Sequence, residues 1–155
     1  MAYIFPAPGV SGVEMTLNLS VSGDTADLVV PAIQNITVNN ANDVFTWTQL
    51  DSGSKKQVAT TATNSLSLNL VLDQTVFFGS GTGTPVAVNK GIFGLSKDKT
   101  LTHFSLYLGD TSTGGTGKTI SGEGYITGLA PTVSADSPVW VGPVTIAVTG
   151  DYTVS

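Results

Sequence analysis

Polar and apolar residues alternate along most of this chain. The alternation is clearest in Val13-Glu14-Met15-Thr16-Leu17-Asn18-Leu19-Ser20-Val21-Ser22, where the odd positions are apolar and the even ones polar. Successive side chains of a β-strand point to opposite faces, so a period of two predicts a strand with one face buried. Further strands are predicted over Ala32 to Val38 and Val44 to Leu50, joined as a hairpin through Asn39-Asn40-Ala41-Asn42-Asp43, whose Asn and Asp side chains favour turns. Ser65 to Asp73 brings Leu66, Leu68, Leu70 and Leu72 to one face, and Leu101 to Leu108 does the same for Thr102, Phe104, Leu106 and Leu108. Thr119 to Leu129 and Val139 to Thr149 read as a last pair of strands.

One segment breaks the period. Beyond Gly79-Ser80-Gly81-Thr82-Gly83, Thr84 is placed to cap a helix, Pro85 fits its first turn, and Val88, Ile92 and Leu95 fall on one face. A single short flanking helix is therefore expected near residues 85–95, although Gly91 and Gly94 each weaken it by up to about 1 kcal/mol relative to alanine. Asp51 to Asn64 and Gly109 to Lys118 read as two long loops, and loops of that length in compact domains are usually functional or disordered. The expectation is one domain over residues 1–155, mainly an antiparallel β-sandwich or incomplete barrel, with residues 1–10 as an extended N-terminal arm.

Composition narrows the function. Charged residues make up only 11% of the chain, against about 25% in typical soluble domains, so much of the surface is neutral and rich in hydroxyls. Eleven acidic residues face six basic ones, all lysine, for a net charge of −5. A protein that grips phosphates needs basic clusters, with arginine the usual fork, so tight DNA binding is not expected. With no cysteine, stability must come from packing and association, without disulfides or thiolate metal sites. The N-terminus lacks the basic region of a signal peptide, and no run nears the roughly 20 apolar residues of a membrane helix.

Candidate chemistry is sparse. Gly114-Gly115-Thr116-Gly117-Lys118-Thr119 suggests a phosphate loop, but Ser112 stands where that pattern needs glycine and Ile120-Ser121-Gly122-Glu123-Gly124 cannot supply the following helix. His103 is the sole histidine and has no cysteine or second histidine to complete a metal site. No Gly-x-Ser-x-Gly elbow occurs, and any Ser/His/Asp triad would have to use this one histidine. Asn39 to Asp43 and Asp51-Ser52-Gly53-Ser54 lack the spaced carboxylates of a calcium loop, and the sequons at Asn18 and Asn35 read as chance in the absence of a secretion signal. No enzyme activity and no cofactor is expected. Trp47, on one face with Phe45, and Trp140, between Pro138 and Pro143, read as core or subunit-interface residues.

The stretch Val44-Phe45-Thr46-Trp47-Thr48-Gln49-Leu50-Asp51-Ser52-Gly53-Ser54-Lys55-Lys56, followed by a loop and a leucine-alternating strand, resembles the bacteriophage tail tube family. So do the short helix, the strand Phe104 to Leu108, and the ending Ile126-Thr127-Gly128-Leu129-Ala130-Pro131-Thr132-Val133-Ser134-Ala135-Asp136-Ser137-Pro138-Val139. The likeness runs from about Gly9 to Tyr152 and extends to related bacteriocin and secretion-system tubes. It implies a virion protein whose hexameric rings stack into a conduit for DNA, meeting tape-measure, terminator, baseplate and sheath proteins and no membrane. Six copies at −5 each give about −30 per ring, and an acidic bore would repel phosphates so that DNA passes without sticking. Glu14, Asp24, Asp27 and Asp73 are the lumen-facing candidates. Lys55 and Lys56, in a loop that the family uses for stacking, are the inter-ring candidates. A fibre or pilus module, or a carbohydrate-binding sandwich stacking sugars on Trp47, Tyr107 or Tyr125, would share this composition.

Overall fold

The alternating segment near the N-terminus forms β1 (Val13–Ser20), and the chain then runs through β2 (Leu28–Val30), β3 (Ile33–Thr48) and β4 (Lys55–Val71). Two helices follow, α1 (Gln74–Phe78) and α2 (Val86–Lys97), before β5 (Thr102–Asp110), β6 (Lys118–Leu129), β7 (Thr132–Ser134) and β8 (Ser137–Val154). The computed structural model describes residues 13–110 and 118–155. These strands make a single eight-stranded sheet in the order β2-β1-β5-β6-β8-β4-β3, with β7 added against β8. Every pairing is antiparallel and the sheet does not close on itself.

Register explains why one face is apolar. Leu17 lies opposite Leu106 and Leu19 opposite Phe104, while Leu66 meets Ile146 and Leu68 meets Val144. Cross-strand partners share a face, so the periods seen in separate segments merge into one apolar layer. Ala87, Ile92 and Leu95 of α2 and Phe77 of α1 pack onto that layer and are almost wholly buried with it. Each fully buried Leu, Ile or Phe contributes about 1.5–3 kcal/mol, so this two-layer core is the main source of stability.

The all-β reading holds, and the expected pairing of the last two long strands is observed as β6 against β8. The helix expected near residues 85–95 is α2, but Thr84 does not cap it. Pro85 occupies the N-cap without a side-chain bond, and the cap comes from Asp24, which accepts from the N–H groups of Val86 at 2.7 Å and Ala87 at 3.2 Å. A second helix, α1, was not expected; Asp73 starts it by accepting from the N–H groups of Thr75 and Val76. The α1 and α2 backbones touch at glycines. Gly91 breaks the helical path at φ 65°, and a Cβ there would collide with the backbone of Phe77, Phe78 and Gly79.

Two loop expectations are corrected. Asn39 to Asp43 is no turn: β3 runs straight through it, with a register shift between Asn42 and Val44. Asp51 to Asn64 is no loop either, since Lys55 to Asn64 belongs to β4 and the hairpin turns between Thr48 and Lys55. Of the other expected loop, Gly109 and Asp110 end β5 and Lys118 opens β6, while residues 111–117 lie outside the described residues, as does the expected arm 1–10.

Candidate functional site

Three surfaces stand out: an arm, a polar sheet face and an apolar cleft. The arm is the outer half of the β3–β4 hairpin. Beyond Asn64, which is 3% exposed, every residue out to the turn is exposed on both faces apart from the partly shielded Ser52. The ladder from Asn40↔Asn64 to Thr48↔Lys55 extends the ribbon by roughly 30 Å at about 3.3 Å per residue. An isolated two-stranded ribbon is at best marginal in water, so its root is reinforced. Asn40 donates to the Asn64 carboxamide oxygen, and Asn64 donates to Gly150 O at 2.7 Å. The Tyr152 hydroxyl reaches Asn39 O at 2.6 Å and Ser65 O at 2.8 Å. Desolvation pushes the Tyr152 pKa above its ordinary 10.0, with the Ser65 hydrogen bond pulling the other way, so the phenol stays protonated as this tie requires.

Near the arm tip, Phe45 and Trp47 stack at 5.9 Å between ring centroids. Their register partners are Val58 and Lys56, so one face of the ribbon carries Phe45, Trp47, Val58 and Lys56. Phe45 is 59% exposed and Val58 49%. Lys55, opposite Thr48, falls on the other face by alternation.

On the body, the sheet face away from the helices is polar and nearly uncharged. Ser67 pairs with Thr145, Tyr125 with Ala147 and Ser105 with Ser121. On it His103 lies 3.6 Å from Glu123, and Asp151 lines the same shallow depression. Glu123 and Asp151 were missed in the sequence reading; the alternation Ser121, Glu123, Tyr125, Thr127 was the available signal for the first. Of the expected lumen residues, Asp24 and Asp73 hold the helix N-termini, Asp27 is exposed beside β2 and Glu14 lies in β1 opposite Gly109. The four are not brought together. Among the described residues no cluster of three or more His, Asp or Glu could hold a metal ion.

The third surface is a cleft of about 460 Å³ between α1, α2 and the start of β8, lined by Leu72, Asp73, Gln74, Phe77, Phe78, Phe93, Pro131 and Trp140. Trp140 is 52% exposed, and Phe77, Phe78 and Phe93 form a mutually packed aromatic trio with centroids 4.9–5.9 Å apart. Trp47 and Trp140, both expected at core or interface, thus lie on separate exposed apolar surfaces.

No protein-family model matches the sequence, and no curated protein sequence does. Solved structures do match. A chain from the tail of an empty gene transfer agent particle, refined with C6 symmetry, superposes with a TM-score of 0.66 at 12% identity, covering 96% of this chain and 99% of that one. The SPP1 tail tube gives 0.65 at 10% identity, covering 96% and 79%. A chain of the sixfold-symmetrised anti-feeding prophage baseplate gives 0.63 at 11% identity, covering 97% of each. The chain has the fold found in these tail and tube assemblies.

Proposed function

We propose that this chain is the subunit of a phage-type tail tube, a structural virion protein without catalytic activity. Six copies join side by side through the two sheet edges, β2 and β3, and the rings stack into a hollow conduit through which DNA passes without specific binding. The observation that carries this reading is the near-complete superposition on the tail and tail-tube chains described above. The sheet supports it independently. An open sheet leaves unpaired edges that invite association, and joining six of them into one large barrel removes those edges. The helices then lie outside and the polar face inside, where hydroxyls and amides suit a wet bore.

Acidic groups on that inner face keep phosphates from adhering. Glu123 and Asp151 take this part, while Asp24 and Asp73, of the four residues expected from the sequence, are occupied in holding helices. The arm, with Lys55 and Lys56, reaches the next ring. Tape-measure, terminator and baseplate proteins are the partners such a tube requires. Negative-stain microscopy of the concentrated purified protein is expected to show rings or tubes; a strictly monomeric protein at all concentrations, including with tail initiator components, overturns the reading.

A further inference from the structure

The chain exposes two apolar surfaces of opposite shape, and their places in the fold are related. The arm leaves the sheet where β4 crosses Asn64, and the cleft opens beyond the other end of the same strand, at Leu72. Body strand and arm together separate the two by roughly 45–50 Å along the strand direction, so an arm cannot fill its own cleft. Two different, complementary patches at opposite ends of one subunit define a head-to-tail contact, which repeats indefinitely instead of closing as a pair.

Resting on the tube reading above, we infer that the arm face bearing Phe45, Trp47 and Val58 seats in the α1–α2–β8 cleft of a second copy in the adjoining ring. The chemistry matches on both sides. The cleft's wall is aromatic and aliphatic, with Trp140 and Phe78 each more than half exposed. A pocket of about 460 Å³ lies within the range that takes one or two large side chains. Charge fixes the orientation: Lys56 shares the apolar face of the arm, and Asp73 is the carboxylate among the cleft's lining residues. Asp73 uses Oδ1 for both of its hydrogen bonds to α1, which leaves its other oxygen to accept from the arriving lysine. Aromatic anchors in a desolvated pocket with one charge at the rim are the usual energetic centre of an interface.

The absence of native cysteine makes a direct test available. In the full chain carrying Val58→Cys and Gln74→Cys, mild oxidation of the assembled protein is expected to give a ladder of cross-linked oligomers. A disulfide needs Cα atoms within about 7 Å, so the control pair Val58→Cys with Thr127→Cys, on the polar face, is expected to give none. Separately, Phe45→Ser with Trp47→Ser alters only exposed side chains. It is expected to leave circular dichroism unchanged and to raise the concentration needed for tube assembly at least about tenfold. Tubes without the 58–74 cross-link, or with equal cross-linking of the control, overturn the docking and leave the tube reading standing. Cross-linked ladders from a protein that forms no tubes uphold the docking and remove the tube reading. Wild-type protein that stays monomeric removes both.

Discussion

Asp24 shows how far a single side chain can reach across this fold. Its carboxylate accepts from Val21 N at 2.7 Å in its own turn and from Val86 and Ala87 at the start of α2. One residue therefore closes the β1–β2 turn and caps a helix more than sixty positions away, with the added gain of a negative charge at a helix N-terminus. Asp24→Ala is expected to cost about 1–3 kcal/mol, because it strands three donors in a half-buried place. Asp27→Ala, on the exposed neighbour, should stay within about 0.5 kcal/mol. Urea unfolding at unchanged slope would measure both, and equal stability of the two variants would refute the clamp.

The arm behaves differently, because almost nothing in the body holds it beyond its root. Replacing Lys55 and Lys56 by glutamate should leave circular dichroism and the melting temperature unchanged, since both are exposed and lack a salt-bridge partner among the described residues. A rim charge pair is worth only about 0.2–1 kcal/mol, but a stack repeats the contact in every subunit, so tubes are expected to be shorter or absent. Microscopy showing tubes of normal length would refute a stacking role for the lysines. The arm's exposure on both faces also explains why it was illegible in the sequence. A period of two is the mark of burial on one side, and from Ala41 to Thr63 both faces are open apart from Ser52, so Asn39 to Asp43 looked like a turn and Lys55 to Asn64 like a loop. The β-branched content of Val58-Ala59-Thr60-Thr61-Ala62-Thr63 was the available sign of a strand. The core strands were legible because they are half-buried. The five-residue α1 is too short to show a helical period, and the Asp24 cap joins segments that no local pattern connects. Glu123 could be placed by alternation once β6 was recognised, whereas Asp151 follows an irregular register between Ser121 and Glu123 against β8.

At the scale of the whole molecule, the division of labour lies between the two faces of one sheet. The apolar face and its helices carry stability; the other face is free of that task and, in the proposed tube, lines the bore. That face is dominated by hydroxyls and amides, with His103 held beside Glu123 and Asp151 in the same depression, so in the proposed tube a passing phosphate would meet few donors and some repulsion. Ser67 and Thr145 are register partners in the middle of it, partly shielded and away from both helices. Lysine at both positions would place about twelve cations around each ring of the proposed six copies, enough to hold DNA by counterion release. The fold should survive, since a long lysine stem can lie along the sheet with its charge in water. Tubes carrying Ser67→Lys and Thr145→Lys are therefore expected to form normally and to slow DNA ejection. The delay should shrink steeply as salt rises from about 50 to 200 mM, because phosphate contacts weaken with ionic strength. Intact tubes with ejection kinetics equal to wild type at both salt concentrations would show that this face does not line the conduit.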